Sequence, residues 1–145
     1  MSHQNPTDDE IREILTTVKT VAVAGASDKT SRPVYRVSEF LQQQGMRTIP
    51  VNPRLAGKEV LGENAYARLQ DIPEPVDMVD CFINSARVGP IVDDAIEIGA
   101  KVVWLQLDVI DEAAAARATR AGLTVVMNRC PAIEWRRLGL AGAAS

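Results

Sequence analysis

Val21-Ala22-Val23-Ala24-Gly25-Ala26-Ser27 is a short apolar run that breaks into a glycine turn. Small and β-branched residues without a charge suit a strand buried on both faces, and Gly25 supplies the tight turn that follows it. Asp28 to Arg32 is polar and loop-like, and Pro33 fits the first turn of a helix, where its missing N–H costs nothing. Val34, Val37, Phe40 and Leu41 then lay an apolar stripe along that helix, and Gly45 ends it. Strand, glycine turn and helix in this order make the first half of a βαβ unit.

The same grammar extends in both directions. Upstream, Thr7 and Glu10 stand at capping-box spacing, and Ile11, Ile14, Leu15 and Val18 predict a helix from about Asp8 to Lys19. Downstream, Arg47 to Val51 reads as a second strand closed by Asn52-Pro53. Pro50 cannot donate to a ladder, so this strand belongs at a sheet edge or Pro50 at its end. Arg54 to Gln70 reads as a loop with a short helical turn around Tyr66. Asp77 to Ile83 is the third strand, and a helix starts near Pro90 and ends at Gly99. Lys101 to Leu107 is the fourth strand, Asp111 caps an alanine-rich helix reaching Ala121, and Leu123 to Met127 is the fifth strand. Ala132 to Leu138 closes the chain with a helical turn. Strands that alternate with helices imply parallel pairing through right-handed crossovers. The expected fold is α/β: a Rossmann-like, doubly wound parallel sheet of about five strands. It forms one domain over residues 1–145, with residues 1–6 and 139–145 as loose tails.

Composition agrees with this and narrows the partners. The 145 residues are 46% hydrophobic and 24% charged, with few aromatics, so Val, Ile, Leu and Ala must build the core. A net charge of -3 argues against nucleic acid, which demands a basic face, yet allows a local basic pocket for a small anion. Two cysteines are too few for a disulfide scaffold. The first residues are polar, and no apolar run approaches the roughly 20 residues that span a bilayer. A cytoplasmic protein, off the membrane, is expected.

Open parallel sheets bind ligands beyond the carboxyl ends of their strands, where the strand order reverses. That rule selects the loops at Gly25, Asn52, Ile83, Leu107 and Asn128. Their polar residues include Ser27, Ser31 and Arg32, then Asn52 and Arg54, then Asn84 and Arg87, then Gln106, then Asn128 and Arg129. The first loop is the most informative, because the helix after it offers free N–H groups and a positive dipole end to an anion. Arg32 adds a guanidinium suited to a pair of phosphate oxygens. The loop is not a dinucleotide fingerprint: the two further glycines of G-x-G-x-x-G are Ser27 and Thr30 here. The acidic residue that would hold a ribose diol at the end of the second strand is replaced by Asn52-Pro53. Both departures weigh against NAD and leave another phosphate-bearing ligand.

Six segments together resemble the stand-alone CoA-binding domain proteins, which look like the N-terminal domain of the succinyl-CoA synthetase α subunit. They are Val21–Ser27, Ser31-Arg32-Pro33, Ile49–Pro53, Val60-Leu61-Gly62, Val102–Gln106 and Asn128-Arg129-Cys130-Pro131. None is specific alone; their order and spacing are. The resemblance implies that Gly25, Ala26, Ser27 and Arg32 hold the CoA diphosphate and that Val51, Asn52 and Pro53 lie against the adenosine. It implies further that Phe82 flanks the adenine or the start of the pantetheine arm and that Gln106 and Asn128 line the arm's path. Charge alone adds Arg54 and Lys58 as partners for the ribose 3′-phosphate, and Ser31, Pro33 and Arg87 complete the candidate set. The synthetase works through a phosphorylated histidine in a second domain, whereas the one histidine here is His3. The resemblance therefore supports binding of coenzyme A or an acyl-CoA at the sheet's carboxyl edge, without a complete catalytic site.

The alternative is an NAD(P)-dependent oxidoreductase or a component of a CoA-transfer enzyme, so turnover stays open though the residues weigh against it. No catalytic residue and no metal ligand set is assigned, because one histidine supports neither a Ser/His/Asp triad nor a Cys/His cluster. The expected partner is a small nucleotide ligand, with a homo-oligomer or a partner enzyme left open. Cys130, before Pro131, would react with the CoA thiol only if it stood near it; a small packing residue is the favoured role. Cys81 reads as core, Trp104 and Trp135 as core or interface rather than ligand stackers, and Asp93, Asp94 and Glu97 as the solvent face of a helix.

Overall fold

The computed structural model describes residues 2–140. Among the described residues, five α-helices surround a five-stranded parallel sheet. The first helix, α1 (Asp8–Thr17), carries the expected capping box: the Glu10 N–H donates to Thr7 Oγ1 at 3.3 Å and the Thr7 N–H to Glu10 Oε1 at 3.0 Å. Strand β1 (Thr20–Ala24) leads through Gly25 to α2 (Pro33–Gln43) and then β2 (Arg47–Val51). A short hairpin, β3 (Glu59–Val60) and β4 (Glu63–Asn64), precedes β5 (Met78–Cys81). The chain continues with α3 (Val88–Glu97), β6 (Val102–Leu105), α4 (Glu112–Arg120), β7 (Thr124–Val126) and α5 (Pro131–Arg137). Asp111 caps α4 as expected, accepting the Ala114 N–H at 3.0 Å.

The main sheet runs β2-β1-β5-β6-β7 with every pair parallel. The order reverses between β1 and β5, so the switch point lies above the carboxyl ends of those two strands. Alternation divides the side chains between two cores. Ala22, Ala24, Val79, Cys81, Val103 and Leu105 pack against α3 and α4, which supply Val88, Val92, Ala114 and Ala118. Val21, Val23, Met78 and Trp104 pack against Ile11, Leu15, Leu41 and Trp135 of α1, α2 and α5. Trp104 is fully buried and donates its indole N–H to the Arg129 carbonyl at 2.9 Å. Both tryptophans are thus core, as expected.

One expectation holds and two change. Pro50 lies inside β2, and β2 is an edge strand. The Pro50 carbonyl turns away from the sheet and accepts the Tyr66 N–H at 3.0 Å, so the missing donor falls on the side with no ladder to break. Tyr66 itself is not in a helical turn: it forms an isolated parallel bridge with Val51, and single 3₁₀ turns stand at Pro53–Leu55 and Leu69–Asp71. The amino-terminal segment expected to be loose is tied to the far edge of the sheet. Asn5 donates to the Met127 carbonyl at 2.9 Å and accepts the Met127 N–H at 2.8 Å, and His3 Nε2 lies 2.9 Å from the Val125 carbonyl. Of the carboxyl tail, residues 141–145 lie outside the described residues.

Candidate functional site

Gly25 sets the geometry of the switch point. Its φ is +80°, and a Cβ on it would stand 2.3 Å from the Phe82 carbonyl oxygen. The two loops leaving β1 and β5 therefore touch through bare backbone, which only glycine permits. The contact is locked by the Phe82 N–H on the Ala24 carbonyl at 2.9 Å and the Gly25 N–H on the Val51 carbonyl at 3.0 Å.

Past Gly25 the loop is rich in unused donors. The backbone N–H groups of Ser27, Asp28, Thr30 and Ser31 make no hydrogen bond among the described residues. The Ser27 hydroxyl accepts the Lys29 N–H at 3.1 Å, which bends the loop without occupying those donors. Helix α2 then starts at Pro33 with no side-chain cap; the Tyr35 and Arg36 N–H groups turn back to the Arg32 carbonyl, which leaves the Val34 N–H and the helix dipole at this loop. Such a terminus favours an anion.

Two cavities open here, of about 540 and 550 Å³. They share Gly25, Asn52, Arg54 and Phe82, so they form one trough across the carboxyl ends of β2, β1 and β5. The first is lined by Ala26, Ser27, Arg32, Pro33 and Lys58 as well. The second adds Val51, Pro53, Ile83, Asn84 and Arg87. Their size suits a ligand larger than a single phosphate. Lys29, Arg32, Arg54 and Lys58 line the first cavity, and none of them forms an ion pair among the described residues. Asp28 is the one acid in that lining. A chain of net charge -3 thus concentrates unpaired cations at one mouth.

Of the sequence-predicted residues, Gly25, Ala26, Ser27, Arg32, Pro33, Val51, Asn52, Pro53, Lys58, Phe82 and Arg87 line this trough. Ser31 is exposed on the same loop and lines neither cavity. Gln106 and Asn128 stand apart, on the loops that leave β6 and β7. The Asn128 side-chain oxygen accepts the Asp108 N–H at 2.8 Å. Gln106 Oε1 is buried without a donor. Cys130, at the head of α5, is only 5% exposed. Lys29 and Arg68 also line the trough and were not singled out from the sequence. The position of Lys29 between Gly25 and Pro33 was the available signal; Arg68 had none, since its segment gives no periodic pattern.

Beneath the switch point lies an unusual carboxyl. Asp80 of β5 stands in register with Val23 and Trp104, fully buried, and neither of its oxygens has a hydrogen-bond partner. Burial pushes its pKa well above the ordinary carboxylate value. On the opposite face of the strand, burial and then the Asp80 charge push the Cys81 thiol up as well, so Cys81 is inert.

The strand order, the glycine contact and the donor-rich loop define a Rossmann-like α/β domain with unpaired donors and cations at its switch point. The particular family follows from comparison with known proteins: the chain belongs to the CoA-binding domain family, whose sequence pattern matches residues 19–136. It is 37% identical over 127 residues to the uncharacterized protein YneT of Bacillus subtilis, spanning 88% of this chain and 93% of that one. A hypothetical protein from Pyrococcus horikoshii of known structure is 40% identical with a TM-score of 0.87, over 95% of this chain and 99% of the other. An acetyl-coenzyme A synthetase from Ca. Korarchaeum cryptofilum shares the fold, with a TM-score of 0.68 and 24% identity. That match covers 84% of this chain and 28% of the synthetase. Among the described residues no helix is long and apolar enough to cross a membrane, and no cluster of His, Cys, Asp and Glu is placed to hold a metal.

Proposed function

We propose that the protein binds coenzyme A, free or acylated, in the trough above β1, β2 and β5, and carries no complete catalytic site of its own. The observation that carries this reading is the pairing of unused backbone donors at Ser27–Ser31 with four unpaired cations in one cavity. Coenzyme A carries a diphosphate and a ribose 3′-phosphate, so it offers anionic groups at two separated places. Arg32 and the loop donors suit the diphosphate, and Arg54 and Lys58 suit the 3′-phosphate. Val51, Pro53 and Phe82 give the adenosine an apolar bed, and Arg87 stands further along the second cavity. A nicotinamide dinucleotide fits less well, because neither the second and third fingerprint glycines nor a ribose-binding acid is present.

Calorimetric titration with CoA, NAD, NADP and ATP in parallel tests the reading. CoA is expected to bind most tightly; binding of NAD without CoA overturns it and favours an oxidoreductase. Comparison of CoA with acetyl-CoA in the same series decides between the free and acylated ligand.

A further inference from the structure

The residue at the end of β2 is where a dinucleotide-binding sheet places an acid to accept the ribose hydroxyls. Here it is Asn52, and every kind of hydrogen-bonding group it has is engaged inside the protein. Its backbone N–H donates to the Tyr66 carbonyl at 2.9 Å, and its carbonyl accepts the Leu55 N–H at 2.9 Å. Its side-chain oxygen accepts the Arg54 N–H at 2.9 Å, and its side-chain nitrogen donates to the Ala26 carbonyl at 2.9 Å. The Arg54 N–H can only donate and the Ala26 carbonyl can only accept, so the amide has one admissible orientation.

We propose that Asn52 is a positioning residue of this site, and that its lack of charge sets the ribose specificity. Its amide clamps the glycine loop to the Pro53–Leu55 turn, and being neutral it offers a ribose diol no carboxylate. The inference rests on the CoA reading. An aspartate at this position keeps the bond to the Arg54 N–H but sets a carboxylate oxygen against the Ala26 carbonyl, so the loop must shift. It also puts a negative charge beside Arg54 and Lys58, the two cations left for a ribose phosphate. The same amide that holds the anion loop in place therefore selects a ribose marked by a phosphate over one marked by free hydroxyls.

The test compares the wild type with N52D and N52A, using CoA, dephospho-CoA and NAD as titrants and circular dichroism to verify folding. N52D is expected to weaken CoA by about tenfold or more, the cost of one broken hydrogen bond with an unsatisfied partner. It should also lower the ratio of CoA to dephospho-CoA affinity, whereas N52A should weaken both ligands by a similar factor and leave that ratio in place. Neither variant should gain NAD. A ratio that N52D does not move overturns the proposal, as does a ratio that N52A moves just as far. If the wild type binds no CoA, the CoA reading fails by itself. The clamp is then judged by amide exchange, which must accelerate at Ala26 and Arg54 in N52A, and at Ala26 alone in N52D where it folds; unchanged protection in N52A overturns it.

Discussion

The carboxyl edge of the sheet has two halves built in opposite ways. Above β1, β2 and β5 the loops leave backbone donors unpaired, expose cations without partners and enclose the trough. Above β6 and β7 the loops bond one another more, with help from Ser85 of the β5 loop, although Gln106 Oε1 stays buried without a donor. Asn128 holds the Asp108 N–H, the Ser85 hydroxyl donates to the Asp108 carbonyl at 3.2 Å, and it accepts the Ile110 N–H at 2.8 Å. Asp108 and Asn128 even adopt positive φ, at 67° and 60°, to complete that network. A loop that spends hydrogen bonds on its neighbours has fewer for a ligand, so the strand-order rule and the concentration of unpaired donors and cations point to the same half.

The contrast can be broken most severely at Gly25. Gly25→Ala forces a positive φ on an L side chain and drives a methyl into the Phe82 carbonyl. We expect a stability loss of about 2–5 kcal/mol, combining left-handed strain with overpacking. Urea denaturation measures it, and a loss under about 1 kcal/mol would show that the two loops do not depend on this contact. Arg32→Ala leaves the fold intact and should weaken CoA binding by about 1.5–3 kcal/mol, the range for a hydrogen bond to a charged group. Unchanged affinity removes Arg32 from the site.

Asp80 provides a subtler handle beneath the open half. Its carboxyl holds a proton in the folded chain that the unfolded chain releases above a pH of about 4. The sign follows: stability is highest below that value and falls as pH rises toward the raised folded pKa, by up to about 1.4 kcal/mol per pH unit. Asp80→Asn should remove this slope, and equal slopes in the two proteins from pH 5 upward would show that Asp80 is not the group responsible. The smallest effect is expected at Cys130. Because it is buried beside the closed half, treatment with CoA disulfide should leave the intact mass unchanged; a gain of one CoA would place the thiol end of the ligand there.

What could be read without the structure was local. The capping box at Thr7, the bounds of β2 and the cap at Asp111 depend on residues a few positions apart, and all are present. The Gly25 loop was legible for the same reason. Contacts between distant segments were not. The bridge between Tyr66 and Val51 and the attachment of Asn5 to Met127 have no periodic signature, so one region was read as a helical turn and the other as a tail. The same limit hid the role of Asn52. Its absence of charge was visible, but its bonds to Ala26 and Arg54 exist only once β1 and β2 pair. Gln106 and Asn128 were picked out by the strand-end rule and given a role by resemblance, and their loops lie above the other half of the edge.

The most direct test is to map backbone amide shifts as CoA is added to isotopically labelled protein. The largest changes should fall on Ser27, Asp28, Thr30 and Ser31, whose N–H groups are unpaired, with a second set from Arg54 to Lys58. Changes centred on Leu107 to Ile110 and Asn128, with the Gly25 loop still, would place the ligand on the wrong half of the edge and contradict the account.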